Sequence, residues 1–242
     1  MTKVALITGA TSGIGRATAV AFAKAGYMVA ATGRNQNALG ILVQEYPENI
    51  HAIISDLSGS DVCNKLIETC VRQCGRLDVL VNSAGMLERG DAAETSDQLW
   101  RNTMCLNLDI PFYLSRAALP QLRENRGRII NVSSDWGLQA GKNAVAYCTS
   151  KAGLIMFTKA MAKDHAAHGI TVNAVCPGDV LTPMLEKGAA EQGVDIETWH
   201  ARTPTGRLTE AHEIASMILY LASDAAAQIT GTAILVDGGA SV

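Results

Sequence analysis

The stretch KVALITGATSGIGRATAVAFAKA, Lys3 to Ala25, decides the fold. Lys3 to Thr8 is an apolar run rich in β-formers and reads as a buried parallel strand. Gly9, Gly13 and Gly15 punctuate the next seven residues, and Arg16 to Ala25 is made of helix formers. Strand, glycine loop and helix form the context in which bare backbone N–H groups approach a pyrophosphate, helped by the helix dipole. The spacing is Gly-x-x-x-Gly-x-Gly, not the commoner Gly-x-Gly-x-x-Gly.

Working outward, Tyr27 to Thr32 reads as a second strand, completing a βαβ unit. NAD-selective sites often carry an acid at its end, on the ribose hydroxyls. Here Gly33-Arg34-Asn35 follows instead, and an arginine pairs with a 2′-phosphate. NADP(H) is therefore favoured over NAD(H). Asn35 to Tyr46 reads as a helix and Ile50 to Ser55 as a strand, with Asp56-Leu57 at its carboxyl end, where adenine would lie. Ser58 is expected to cap a helix running to about Cys74. Leu77 to Val81 is the fourth strand, followed by the small residues Asn82-Ser83-Ala84-Gly85. A helical region spans about Ser96 to Leu122 with Asn107 in its middle. Gly127 to Ser133, Gly169 to Val175 and Ile229 to Val236 read as the remaining strands, and Ala144 to Ala167 as a long helix. This alternation predicts an α/β fold: a single-domain, doubly wound, mostly parallel sheet of Rossmann type over residues 1–242, flanked by helices.

The chemistry is concentrated between Ser134 and Lys151. Tyr147 and Lys151 are four residues apart in a run of helix formers, so they share one helix face. A phenol titrates near 10 in water, and a lysine ammonium beside it favours the phenolate. Ser134 closes the fifth strand and faces the same helix. A hydroxyl donor, a tunable phenol and a cation suit proton transfer to or from an alcohol or carbonyl oxygen. Tyr-x-x-x-Lys alone is a weak motif, and it needs the cofactor site around Gly9 to Gly15.

The composition is consistent with one packed core: 242 residues, 48% apolar and 18% charged. A net charge of −3 gives no support for nucleic-acid binding by bulk attraction. No apolar run reaches the roughly 18 residues of a membrane span. The six cysteines lack Cys-x-x-Cys spacing and the histidines lack metal spacing, so no metal is expected and the thiols read as free in a reducing cytoplasm.

With these residues assembled, the chain closely resembles the short-chain dehydrogenase/reductase family from Lys3 to about Gly239. The motifs are Thr8-Gly9-x-x-x-Gly13-x-Gly15, Asp56-Leu57, Asn82-Ser83-Ala84-Gly85, Asn107, Ser134, Tyr147-x-x-x-Lys151 and Pro177-Gly178. The resemblance implies a catalytic set of Asn107, Ser134, Tyr147 and Lys151. Tyr147 would be the general acid/base and Ser134 would polarise the substrate oxygen. Lys151 would lower the tyrosine pKa and hold the nicotinamide ribose, and Asn107 would position a water leading from Lys151 to solvent. The cofactor would lie against Gly9, Thr11, Ser12, Gly13, Ile14, Gly15, Arg34, Asn35, Asp56, Leu57, Asn82, Ala84, Gly85, Pro177, Gly178, Val180 and Thr182, besides Tyr147 and Lys151. A homotetramer joined through the long helices and the C-terminal strand is also implied. The family commonly has a second asparagine where this chain has Ser83. Its NADP-selective members often have a basic residue where Ser12 stands, so the cofactor preference leans on Arg34.

Substrate selection is expected beside Ser134, from Asp135 and Trp136, and in a lid at about residues 183–207, from Met184 and Trp199. The leading expectation is an NADP(H)-dependent oxidoreductase of a secondary alcohol and a ketone. The alternatives are a 3-oxoacyl-carrier-protein reductase, with Arg123, Arg126 and Arg128 as a patch for an acidic carrier, an NAD-linked polyol or sugar dehydrogenase, and a non-catalytic nucleotide-binding protein.

Overall fold

The computed structural model describes residues 2–241. A seven-stranded parallel sheet runs in the order β3-β2-β1-β4-β5-β6-β9. Its strands are β1 (Val4–Thr8), β2 (Met28–Gly33), β3 (Ile50–Ile54), β4 (Val79–Asn82), β5 (Arg128–Val132), β6 (Thr171–Pro177) and β9 (Ala233–Val236). Strand β1 is buried throughout, as is β6, because helices cover both faces of the sheet. Residues that alternate along a strand therefore feed two separate cores. Ala5 and Ile7 pack into one with Phe22, Ile214 and Ile218. Val4 and Leu6 pack into the other with Leu66, Leu114 and Leu122.

Helices α1 (Gly13–Lys24), α2 (Gln36–Glu45) and α3 (Ser60–Cys74) follow the first three strands. Asn35 caps α2, its side chain accepting from the Ala38 N–H. Ser58 lies outside α3, whose capping residue is Gly59, so the expected serine cap does not form there. The chain order reverses between β1 and β4. That switch point leaves a crevice beyond the strand ends, where ligands of such sheets bind.

The single helical region expected around Asn107 is three pieces. Helix α4 (Asp97–Met104) and helix α5 (Ile110–Asn125) are joined by a π-helical turn, Cys105–Asp109. Such a turn often marks a functional position. Helix α6 (Val145–His165) is the long helix, and α8 (Ala211–Ala222) packs against α1. Between them, β7 (Val180–Leu181) pairs with β8 (Thr209–Glu210). This pair closes the base of a segment holding α7 (Pro183–Glu191) and a 3₁₀ turn, Ile196–Arg202. Among the described residues no helix is long and apolar enough to cross a membrane.

Candidate active site

Tyr147, Ser134 and Lys151 meet because β5 ends against the first turns of α6. The Ser133 hydroxyl donates to the Lys151 carbonyl at 2.9 Å, fastening the strand end to the helix. Lys151 Nζ reaches back to the Val132 carbonyl at 2.8 Å and sits 5.6 Å from the centre of the Tyr147 ring. All three side chains are buried. Burial pushes the Tyr147 phenol up to about 12; the Ser134 hydroxyl beside it pulls the other way and the Asp135 carboxylate adds to the rise. Burial also brings Lys151 down to about 8. The phenol therefore sits above its usual value, with burial the largest cause. A cation beside a phenolate opposes that cost of burial.

Asn107 is fully buried on the π-helical turn. Its side chain clasps the Met86 backbone, accepting from the N–H and donating to the carbonyl at 2.9 Å each, and donates to Ser150 Oγ at 3.1 Å. Ser150 in turn donates to the Tyr147 carbonyl. The widened turn ties the loop after β4 to the helix that carries Tyr147. A Cβ placed on Gly85 would lie 3.3 Å from Asn107 Oδ1 and 3.5 Å from Lys151 Nζ, so Gly85 leaves the space between those two groups open.

The residues fit a dinucleotide. Helix α1 starts with no side-chain cap from Ser12 and no acid in its first turn, leaving its N–H groups and dipole for an anion. Gly9 and Gly13 take positive φ, 69° and 50°. A Cβ on Gly15 would stand 2.2 Å from the Gly9 carbonyl oxygen, and the Thr182 methyl lies against Gly13. The loop from Gly9 to Gly15, with Thr11 and Ile14, is therefore a tight cradle at the switch point. Val180 is buried, and Thr182 caps α7 beside this loop. Gly178 packs on Asp237, where a side chain would clash.

Arg34 and Asp56 lie at the ends of β2 and β3, both largely exposed, with 3.9 Å between the guanidinium and the carboxylate. Leu57 is half-buried against the second core. Asn82 turns inward: its side chain donates to Asn131 Oδ1 at 2.8 Å, and Asn131 donates to Thr158 Oγ1 at 2.8 Å. Its amide ties β4, β5 and α6 together instead of facing the strand ends. Asp135 and Trp136 lie beside Ser134, and the Trp136 ring meets Tyr147 edge-on at 6.1 Å. Met184 is exposed at the start of α7. Trp199 departs from expectation: it is buried with Ala189 and Leu208, and with Leu185, Val194 and Ile196 against them. A large indole gains more by filling that small core than by facing solvent.

Sequence reasoning missed three supporting residues. Thr8 Oγ1 accepts from the Ser83 and Ala84 N–H groups at 2.9 and 3.0 Å, fixing the loop after β4 to the end of β1. Ser150 links Asn107 to Tyr147, and Arg89 lies over the Trp136 ring at 5.2 Å. Thr8 carried a signal, as the residue entering the glycine loop; the other two carried none.

A family model described as enoyl-(acyl carrier protein) reductase matches residues 9–241. The 3-oxoacyl-[acyl-carrier-protein] reductase FabG of Thermotoga maritima is 37% identical over 241 residues, covering 98% of this chain and 97% of that one. The chain belongs to the short-chain dehydrogenase/reductase family. It is an NAD(P)-dependent oxidoreductase of the alcohol–carbonyl pair. The monensin polyketide synthase putative ketoacyl reductase of Streptomyces virginiae is 38% identical over 252 residues, covering 98% and 96% of the two chains. Among solved structures, an actinorhodin polyketide ketoreductase variant with NADPH superposes with a TM-score of 0.94 at 36% identity, covering 99% of this chain and 97% of that one.

Proposed function

We propose that this chain is an NADP(H)-dependent oxidoreductase interconverting a secondary alcohol and a ketone, with Tyr147 as general acid/base. The observation that carries the reading is Tyr147, buried with the Ser134 hydroxyl at its phenol and Lys151 on the same helix face. The phenol, pushed up to about 12, is protonated across the physiological range and so carries the proton that a reduced carbonyl oxygen takes up. Ser134 orients the phenol and the substrate oxygen. Lys151, buried and anchored on Val132, places a charge that stabilises the phenolate once the proton has left. Bound NADP(H) would supply the hydride at this site. Gly9 to Gly15 would hold its pyrophosphate, Val180 and Thr182 its carboxamide, and Asp56 and Leu57 would flank the adenine.

Arg34 supports the preference for NADP(H). Its contact with Asp56 is an exposed pair worth little, so the guanidinium is free to turn to a 2′-phosphate. NADPH and NADH fluorescence titrations of the parent and Arg34→Ala test this. Tight NADPH binding that weakens at least about tenfold in the variant, where a charge-assisted pair is lost, bears it out. Equal or better NADH binding overturns it in favour of an NAD-linked polyol or sugar dehydrogenase. Loss of turnover in Tyr147→Phe with NADPH binding kept excludes a purely nucleotide-binding role.

A second reading, reduction of a 3-oxoacyl group on a carrier protein, is favoured by the name of the Thermotoga maritima relative. The basic patch expected for the carrier is reduced. The Arg128 guanidinium folds back onto the Arg126 and Gly127 carbonyls and approaches Asp224. Arg123 and Arg126 remain for the carrier, and salt-sensitive binding of an acidic carrier protein tests them.

Residues 183–207 form the proposed lid over a single domain, with Met184 toward the substrate. A homotetramer is consistent with exposed Phe112 on α5, Met156 on α6 and Leu235 on the edge strand β9, and light scattering tests it. Six free cysteines accord with a cytoplasmic setting.

A further inference from the structure

Arg89 stands beside the active site, on the loop after β4. Its guanidinium carbon lies 5.2 Å from the centre of the Trp136 ring, and that ring meets Tyr147 edge-on with 6.1 Å between centres. One aromatic side chain therefore links the arginine to the phenol. Two loops hold it there. The Gly90 N–H donates to the Asn143 carbonyl at 2.8 Å, and the Val145 N–H donates to the Gly90 carbonyl at 3.3 Å. Arg89 Nη1 donates to the Lys142 carbonyl at 3.2 Å. The indole is packed just as closely, because a Cβ on Gly141 would stand 2.3 Å from it.

Arg89 is half-buried, and most of its hydrogen-bonding capacity is unspent. A guanidinium carries five N–H donors, and the Lys142 carbonyl takes one. The backbone bonds of Gly90 already dock the two loops, so the arginine is not needed for that. Among the described residues, the ion pairs include neither Arg89 nor the exposed Lys142. Nearby acids are engaged elsewhere. Asp91 Oδ1 accepts from the Ala93 and Glu94 N–H groups at 2.8 and 2.9 Å. Asp135 Oδ1 accepts from Ser134 Oγ and the Trp136 N–H at 2.8 Å each. Glu88 is exposed to water. Two cations on adjoining loops, without a carboxylate of their own, favour an anion between them and the site.

We propose that Arg89 is a specificity-determining residue of this site, pairing with a carboxylate carried by the carbonyl substrate. The inference rests on the reading of Tyr147 as general acid/base. With the reacting oxygen at Tyr147, the Trp136 ring is a wall along which the rest of the substrate runs, and the open edge of the guanidinium meets its end. Stacking on the indole holds the planar fork in one orientation, which suits a bidentate carboxylate. The carboxylate is unchanged by hydride transfer, so the pair is as strong before the reaction as during it. Such uniform binding lowers KM and leaves kcat alone.

An acid and its methyl ester differ in this one charge. Reduction of acetoacetate, levulinate and 5-oxohexanoate by NADPH is compared with that of their methyl esters, for the parent, Arg89→Ala and Arg89→Lys. NADPH titration checks folding. In the parent at least one acid should exceed its ester by about ten- to hundredfold in kcat/KM, the range of a hydrogen bond to a charged group. Added salt should shrink that preference. Arg89→Ala should abolish it by raising KM for the acid, with kcat and the kinetics of the ester unchanged. Arg89→Lys should recover part of it, having the charge without the fork. Calorimetric titration of the same acids and esters into the NADP⁺-bound protein reads the pairing without turnover, and the order of affinities should be the same. Acids bound no better than esters by the parent, or a preference that survives Arg89→Ala, would overturn the assignment. Turnover surviving in Tyr147→Phe would instead overturn the acid/base reading beneath it.

Discussion

Lys151 Nζ donates to the Val132 carbonyl at 2.8 Å, nineteen residues back in the chain, so the cation of α6 is anchored on the strand that delivers Ser134. The hydrogen bond fixes the lysine in place. Burial at 5% exposure makes its charge costly.

That cost gives a pH signature. Burial lowers Lys151 to about 8 in the folded protein from 10.5. Between those values the unfolded chain binds the extra proton, so this group makes stability rise with pH there. In Lys151→Met the contribution disappears. The parent should gain on the variant by about 2.5 kcal/mol, at 1.36 kcal/mol per unit, as pH climbs from 7 to about 10. Parallel urea titrations check it; a stability difference that stays constant with pH contradicts the burial cost.

Gly15 is the position where the cradle tolerates least. Its Cβ would lie 2.2 Å from a backbone oxygen and 2.6 Å from the adjoining carbon of Gly9, neither of which can swing away. Gly15→Ala should destabilise the fold by about 1–3 kcal/mol, as overpacking does, and weaken NADPH binding more than tenfold, about 1.4 kcal/mol. Thermal melts and fluorescence titration read the two effects separately.

Asn131 is the hinge pin of the polar ladder across the core. It is fully buried, accepts from Asn82 and donates to Thr158. Asn131→Ala leaves the Asn82 amide without that acceptor, and a buried group so stranded costs about 1–3 kcal/mol. Chemical denaturation should show that loss with an unchanged m-value.

Trp199 holds the segment between β7 and β8 together, not the main core. Its cluster is confined to Leu185, Ala189, Val194, Ile196 and Leu208. In Trp199→Ala, limited proteolysis should cut within residues 183–207 several-fold faster while the melting temperature of the sheet hardly moves, since local opening need not track global stability. A lowered melting temperature with an equally resistant segment would contradict this.

The strands were legible in the chain because each is a continuous apolar run closed by glycine or small residues, and all seven formed within about two to four residues of expectation. Tyr147 and Lys151 were legible because a four-residue spacing on a helix is local geometry, and Gly9 to Gly15 because a glycine loop between strand and helix has few other uses. Ser58 misled because its neighbour Gly59 took the cap, a contest settled by backbone geometry. The π-helical turn at Asn107 was out of reach: Cys105–Asp109 carries no residue pattern distinct from an α-helix, and the turn is tied by contacts to Met86 and Ser150.

The amino-acid sequence by itself determined the parallel sheet, the glycine loop between strand and helix, and the shared helix face of Tyr147 and Lys151, while Asn107 entered only through the family resemblance. These follow from periodicity and short spacings, which depend on neighbours along the chain. Only the tertiary structure decided the burial of the phenol, the inward turn of Asn82, the burial of Trp199 and the bond between Ser134 and Asp135. Those depend on desolvation and on partners tens of residues away, and both appear only when the strands have been brought side by side.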